Sequence, residues 1–268
     1  MAQVMQKLVH GFNFLLVERH DARSRDLPLI DSTWQVPAII GLYLMAVLKL
    51  GPRFMENRKP YDLKNVIRLY NIVQVVLNSA FFLAEIYCLW IRPTFNYVCQ
   101  PVDFSATNRG YEELYLSYAY FLLKVLDLAD TMFFVLRKKQ SHVSFLHVYH
   151  HAIMVAMTYL GVLFVPGGHI YLLGLWNTLV HAVMYFYYYL ASYGSKWAAR
   201  FKVYLTRMQL VQFVHLGIHF GRPALQGIDC GFPMIWHWIG FGQALFILGM
   251  FVDFYIKSYG GGKHKKSA

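Results

Sequence analysis

Apolar residues fall along this chain in seven blocks of spanning length, ~20 residues each, near residues 33–50, 66–91, 113–136, 143–164, 169–191, 203–221 and 234–257. Each block predicts a helix, because a helix satisfies its own backbone polar groups where no water is present to do so. The first is the weakest, being short and carrying Pro37 and Lys49. No long repeat, low-complexity linker or soluble domain interrupts the series. The expected fold is therefore all-α, a polytopic membrane protein with seven transmembrane helices making one membrane domain over residues 1–268, with 1–30 as an N-terminal segment and 258–268 as a tail.

Composition agrees with that pattern. The chain is 57% hydrophobic and 15% charged, against about 25% charged residues in soluble domains. Its net charge of +11 brings nucleic acid to mind, but the basic residues sit in short clusters between apolar blocks. Such placement fits cytosolic loops and a polyanionic ligand such as a coenzyme A thioester, and no nucleic-acid partner is expected. Fourteen of the 25 Lys and Arg residues fall on one set of connections, at 53–64, 137–139, 196–202 and 257–266. Seven fall on the other set: Lys7, Arg19, Arg23, Arg25, Arg92, Arg109 and Arg222. Positive residues stay inside, so the C-terminus is expected in the cytosol and, with seven spans, the N-terminus in the lumen. Loss of the weak first span would reverse the N-terminus.

Cys99 and Cys230 both fall in the lumenal connections, whereas Cys88 lies within a span. An oxidising lumen would permit a Cys99–Cys230 disulfide, two free thiols being the alternative. The sequence ends Lys265-Lys266-Ser267-Ala268, which resembles a dilysine signal for retrieval to the endoplasmic reticulum; a basic anchor against anionic headgroups is the other reading.

Polar side chains at membrane depth are costly and mark sites. His147, His150 and His151 share one helix face at i, i+3 and i+4, just after the cationic cluster Arg137-Lys138-Lys139. In the third block Lys124, Asp127 and Thr131 share a face with Asp130 beside it, as part of a site or as an ion pair that braces the bundle. Asn177 and His181 are i, i+4 neighbours ahead of the tyrosine run 185–189, which by itself fits packing or an interface belt. Lys202, Thr206 and Gln209 line one face from the cytosolic edge, although Lys202 has the reach to snorkel. His215 and His219 read as packing or hydrogen-bonding residues, and His10, His20, His169, His237 and His264 stand outside any pattern.

Two chemistries compete for the histidines. A zinc site wants three or four ligands, and His147, His150, His151 and His181 would meet the count. Asp127 and Asp130 are then the nearby carboxylates for orienting them. A di-iron centre wants several histidine boxes, and this chain has one. Alternatively, a neutral imidazole attacks a thioester and carries the acyl group as an acyl-imidazole. That route needs a partner to hold one tautomer and a second polar ring or amide to move protons; His150 with His181 and Asn177 supplies those types. A lipid or ion pathway along Lys124, Asp130 and His181 is a third reading, against which no inverted repeat or matched pair of broken helices is visible.

Taken together, Lys124-x-x-Asp127-x-x-Asp130-Thr131, His147-x-x-His150-His151, His181-x-x-Met184-Tyr185-x-Tyr187-Tyr188 and Thr206-x-x-Gln209, in this order on successive helices, resemble the elongases of very long chain fatty acids, over about residues 30–260. Residues 133–151 look closest to the branch acting on saturated and monounsaturated chains. The resemblance implies six helices around an acyl tunnel and the condensation of malonyl-CoA with a long-chain acyl-CoA to 3-oxoacyl-CoA, CoA and carbon dioxide. It implies no metal or other cofactor beyond these substrates, residence in the endoplasmic reticulum, and hand-off to the other enzymes of an elongation cycle, with homo-oligomers permitted. By the same resemblance His150 is the nucleophile, with His181, Asn177 and Asp130 in the catalytic group. Lys124, Arg137, Lys139, His142, His147, Tyr187, Lys202, Thr206 and Gln209 line the CoA and thioester path, supported by Asp127 and His151. One position departs: Asp127 stands where the family usually has glutamate, which shortens the reach of that carboxylate by one methylene.

Overall fold

The computed structural model describes residues 20–91 and 95–259. The N-terminal segment with Lys7, His10 and Arg19, residue Arg92, and the tail from residue 260, with Lys263, His264 and the Lys265-Lys266 end, lie outside the described residues. Each of the seven apolar blocks is helical, and no strand occurs among the described residues. The chain is an all-α, multi-pass membrane protein: five of its helical stretches are long and apolar enough to cross a bilayer.

We label the helices α1 (Gln35–Met45), α2 (Gly51–Met55), α3 (Lys64–Ile86), α4 (Asn108–Asp127), α5 (Ala129–Leu136), α6 (Phe145–Phe164), α7 (Tyr171–Ala191), α8 (Lys196–Gln226) and α9 (Met234–Tyr259). They divide into two compact units, one of residues 20–62 with 102–168, the other of 63–101 with 169–259.

In the first unit, α1 passes through a π-helical turn at Ala46–Leu50 into α2, so this span continues to Met55 instead of ending near residue 50. The wider turn accommodates Pro52, which lacks an N–H and would clash with a carbonyl in a regular helix. Pro37 sits in the first turn of α1, where its missing donor is harmless. At Gly51 a Cβ would lie 2.6 Å from Val135 Cγ1; glycine is what lets α2 approach α5. The expected third span is two helices, α4 starting at residue 108 and α5 following a tightened turn at Leu128, whose N–H bonds Val125 O. The core of this unit gathers Val36 and Tyr43 of α1, Leu114 and Phe121 of α4, and Val155 and Tyr159 of α6.

The second unit packs α3 on α7, α7 on α8 and α8 on α9. α3 shows the inverted pattern of a membrane helix most plainly: it exposes Leu69, Ile72, Val76 and Leu83 while burying Asn71, Gln74, Asn78 and Glu85. Lipid solvates the apolar face, and the polar face is satisfied inside. The expected sixth span is the middle of α8, whose 31 residues at about 1.5 Å each exceed a hydrocarbon core of about 30 Å. The helix stops at Gly227, left-handed at φ 62°, a conformation glycine adopts without strain.

Cys99 and Cys230 are joined, with Cα atoms 5.9 Å apart, which fixes the loop before residue 101 to the segment between α8 and α9. Around this staple the structure gathers histidines that carry no pattern in the sequence. His169 and His219 stack at 3.6 Å between centroids, each Nε2 facing the other's backbone carbonyl, at 3.2 and 2.9 Å. Both rings therefore donate from Nε2, and His169 Nδ1 faces the Gln100 N–H at 3.4 Å. His219 is thus a hydrogen-bonding residue, as its spacing indicates, and His215 takes the Trp176 indole N–H at 2.7 Å.

Candidate active site

The histidine box opens α6. Ser144, extended at ψ 161°, caps the helix by accepting from the His147 N–H at 3.3 Å, an arrangement that satisfies an otherwise orphaned donor. The box rings then lie on successive turns: His147 and His151 centroids are 4.3 Å apart, and His150 meets His151 edge-on at 5.7 Å. His147 Nε2 lies 3.0 Å from the Thr131 hydroxyl, and that hydroxyl lies 2.8 Å from Tyr43 OH. A Tyr43–Thr131–His147 chain from α1, α5 and α6 thus holds the first box ring, and Phe134 packs edge-on to it at 5.3 Å. His151 is buried and His150 half-buried.

Replacing Thr131 with valine keeps the shape and removes the central hydroxyl. The expected cost is about 1–3 kcal/mol, the penalty for leaving buried polar partners unmade. Denaturation of the detergent-purified protein checks it, and because Tyr43→Phe removes the same chain, the two substitutions combined should cost less than the sum of each alone.

Lys124 and Asp127 form a buried ion pair at 2.8 Å, with side-chain exposures of 1% and 3%, and the Tyr120 ring lies under the ammonium at 4.9 Å. The i, i+3 spacing beside the tightened turn at Leu128 lets the short carboxylate reach, since such turns bring i and i+3 side chains into register. Aspartate in place of the longer glutamate is therefore no obstacle to holding Lys124. Asp130, half-buried, lies in the first turn of α5 one residue before Thr131. After α5 the chain reverses through Lys138, left-handed at φ 54°, whose Nζ donates to Glu56 O at 3.0 Å. This reversal leaves Lys139 and His142 exposed and Arg137 half-buried, and the His142 ring packs against Phe134, tilted by 32° with centroids 5.1 Å apart. The cationic residues thus sit on a solvent-facing turn next to the box, a disposition suited to charge-assisted bonds with phosphates.

In the second unit Asn177 and His181 are buried on α7, and His181 meets the Tyr185 ring edge-on at 5.7 Å. Tyr187 does not share their face. It lines a cavity of about 370 Å3 with Ser79 and Phe82 of α3, Val183 of α7, and Trp197 and Phe201 of α8. Thr206 is buried, 3.5 Å from Tyr259 OH; Gln209 is half-buried, and Lys202 is exposed in the second turn of α8. The structure therefore brings Lys124, Asp127, Asp130, His147, His150 and His151 into the first unit and Asn177, His181, Tyr187, Lys202, Thr206 and Gln209 into the second.

Two groups escape sequence reasoning. Tyr43 sits in the weakest apolar block and gives no local signal. The amides of α3 are Asn71, Gln74 and Asn78 within an apolar block, with Glu85 two turns beyond Asn78, and their seven-residue spacing is the signal that finds them. Glu85 is buried beside Gly174, where any side chain would collide with its carboxylate, and takes the Thr178 hydroxyl proton at 2.9 Å. Among the described residues, the one group of His, Cys, Asp or Glu whose ligand atoms converge within 4.8 Å is Cys99, Cys230 and His237, which includes no histidine of the box and has its two sulfurs already bonded to each other.

The pattern of the GNS1/SUR4 (ELO) family matches residues 28–267. The chain belongs to this family. A very long chain fatty acid elongase of Aedes aegypti is 39% identical over 272 residues, which cover 100% of this chain and 75% of the relative. Very long chain fatty acid elongase 4 of Homo sapiens is 37% identical over 251 residues, 92% of this chain and 78% of that protein. Very long chain fatty acid elongase 7 of Drosophila melanogaster is 36% identical over 254 residues, 93% and 76%. The resemblance carried by the four motifs is borne out, and all four fall inside the span that the GNS1/SUR4 pattern matches.

Proposed function

We propose that this member of the GNS1/SUR4 family is a fatty acid elongase that condenses malonyl-CoA with a long-chain acyl-CoA through an acyl-imidazole on His150. The observation that carries this reading is the box itself: three histidines at the start of a membrane-spanning helix, the first held by Thr131 and Tyr43, beside an exposed cationic turn.

In the first half-reaction a ring nitrogen of His150 attacks the thioester carbonyl, the carbon–sulfur bond breaks, and the CoA thiolate leaves with a proton. In the second, the malonyl carbon–carboxylate bond breaks to release carbon dioxide and leaves an enolate. The enolate carbon then attacks the acyl-imidazole carbonyl, expelling His150 and giving 3-oxoacyl-CoA. One proton is consumed overall, as CoA is released. His181 and Asn177 polarise the reacting carbonyl or stabilise the enolate, and Asp130 belongs with them at the site. Arg137, Lys139, His142 and Lys202 grip the CoA phosphates and pantetheine approach. Lys124, His147, Tyr187, Thr206 and Gln209 line the path inward, with Asp127 and His151 fixing their neighbours. The acyl tail runs between six of seven spans towards the lumen.

The reaction needs no metal or other cofactor, only the two thioesters. The same reading places the protein in the endoplasmic reticulum membrane as one functional domain, with the cationic turns and C-terminus in the cytosol and the N-terminus in the lumen. It passes its product to reductase and dehydratase partners, and binds no nucleic acid. Incubating the purified protein with labelled malonyl-CoA and a ladder of acyl-CoA lengths tests it. Labelled 3-oxoacyl-CoA formed equally with and without a chelator is expected. Product that disappears with the chelator returns the histidines to a metal, and no product at any length removes the reading.

A further inference from the structure

The α3–α7 pair fixes a register that the four family motifs do not use. Arg68 is bonded to Ser192 at 3.1 Å near one end of α3, and Glu85 meets Gly174 and Thr178 near the other. Residue numbers therefore rise along α3 as they fall along α7, and the two helices are antiparallel. Seven residues make about two turns and return a side chain to the same face. Asn78 is seven before Glu85, and His181 is seven after Gly174. Asn78 thus stands opposite His181.

The orientation of the Asn78 amide is set by its neighbours. Its Nδ2 donates to Gln74 O at 2.8 Å and to Gln74 Oε1 at 3.1 Å, while Gln74 Nε2 donates to Tyr70 OH at 2.8 Å. Gln74 and Asn78 are both 0% exposed, and Asn78 Oδ1, the end left over, has no hydrogen-bond partner. A buried acceptor at membrane depth without a donor calls for one, and the face it occupies is the one His181 presents from α7.

We infer that Asn78 is a positioning residue for His181: its Oδ1 accepts from one ring N–H of His181 and so keeps the lone pair on the other ring nitrogen, the one offered to the reacting acyl groups. Catalytic hydrogen bonds often tighten only in the substrate complex. The Tyr70–Gln74–Asn78 relay is what prevents the amide from turning its donor end to the ring. This inference rests on the elongase reading for the role of His181, but its core, the tautomer, is measurable without activity.

Asn78→Leu removes the acceptor and Asn78→Asp retains it. With nitrogen-15-labelled histidine, and His181→Gln to assign the resonance, the unmodified protein should show His181 in one tautomer and Asn78→Leu a mixture. For elongation, Asn78→Leu should lower kcat on the order of tenfold to a hundredfold with KM for acyl-CoA within about twofold. Asn78→Asp should restore most of kcat and displace the acid limb of the pH–rate profile. Should leucine not be accommodated, Asn78→Ala makes the same comparison. An unchanged His181 tautomer in the variant without the acceptor overturns the inference, as does a kcat within twofold of the unmodified protein. Lack of elongation by the unmodified protein defeats the elongase reading alone, because the resonance still decides the hydrogen bond.

Discussion

His150→Ala should lower elongation by on the order of a thousandfold or more, because removing a covalent nucleophile removes both half-reactions and not merely one contact. The substitution should leave the fold intact. His150 is half-buried near the start of α6, and the cap at Ser144 and the His147–Thr131 bond do not depend on it. Release of CoA from acyl-CoA, measured without malonyl-CoA, should vanish with condensation. His181→Ala should differ: if the second ring serves the enolate, release of CoA in the first half-reaction should fall less than overall condensation. Equal loss of both in His181→Ala would place that ring in acyl transfer as well, and near-normal condensation by His150→Ala would remove His150 from its role.

The second large effect is on stability. Lys124→Met leaves the Asp127 carboxylate buried without the ammonium now 2.8 Å away, and breaking such a pair from one side costs about 3–5 kcal/mol. Asp127→Asn strands the Lys124 ammonium in the same manner. Removing both charges, as Lys124→Met with Asp127→Leu, should recover much of that loss, because neither variant side chain then leaves an uncompensated buried ion. Activity should not recover with stability if Lys124 also serves the thioester path. Denaturation midpoints and condensation rates measured on all three variants separate the two roles; full activity in the double variant would make the pair a brace for the helix and nothing more.

Much of this architecture is legible in the order of residues alone. The seven apolar blocks become helices because lipid leaves the backbone no other way to satisfy itself, and the box and the Lys124–Asp127 pair are legible because helical periodicity puts i, i+3 and i+4 together. The break at Leu128 is not legible, since residues 120–135 contain no proline or glycine to announce it. Nor is the His169–His219 clasp: its rings are fifty positions apart, and each bonds a backbone carbonyl, a partner that carries no sequence signal. The amides of α3 are hidden differently. Hydropathy averages them into an apolar block, although their seven-residue spacing marks a single polar face. Tyr187 is hidden in another way, because its place in a run of tyrosines does not reveal that it lines a cavity with residues of α3 and α8.

The central claim is the acyl-imidazole, and intact-protein mass spectrometry after brief exposure to a long-chain acyl-CoA, with malonyl-CoA withheld, tests it most directly. A mass gain of one acyl chain that maps to the His150 peptide, is absent from His150→Ala and is discharged as 3-oxoacyl-CoA on adding malonyl-CoA is the predicted result. Condensation that proceeds at full rate while no acyl adduct forms at His150 would contradict it.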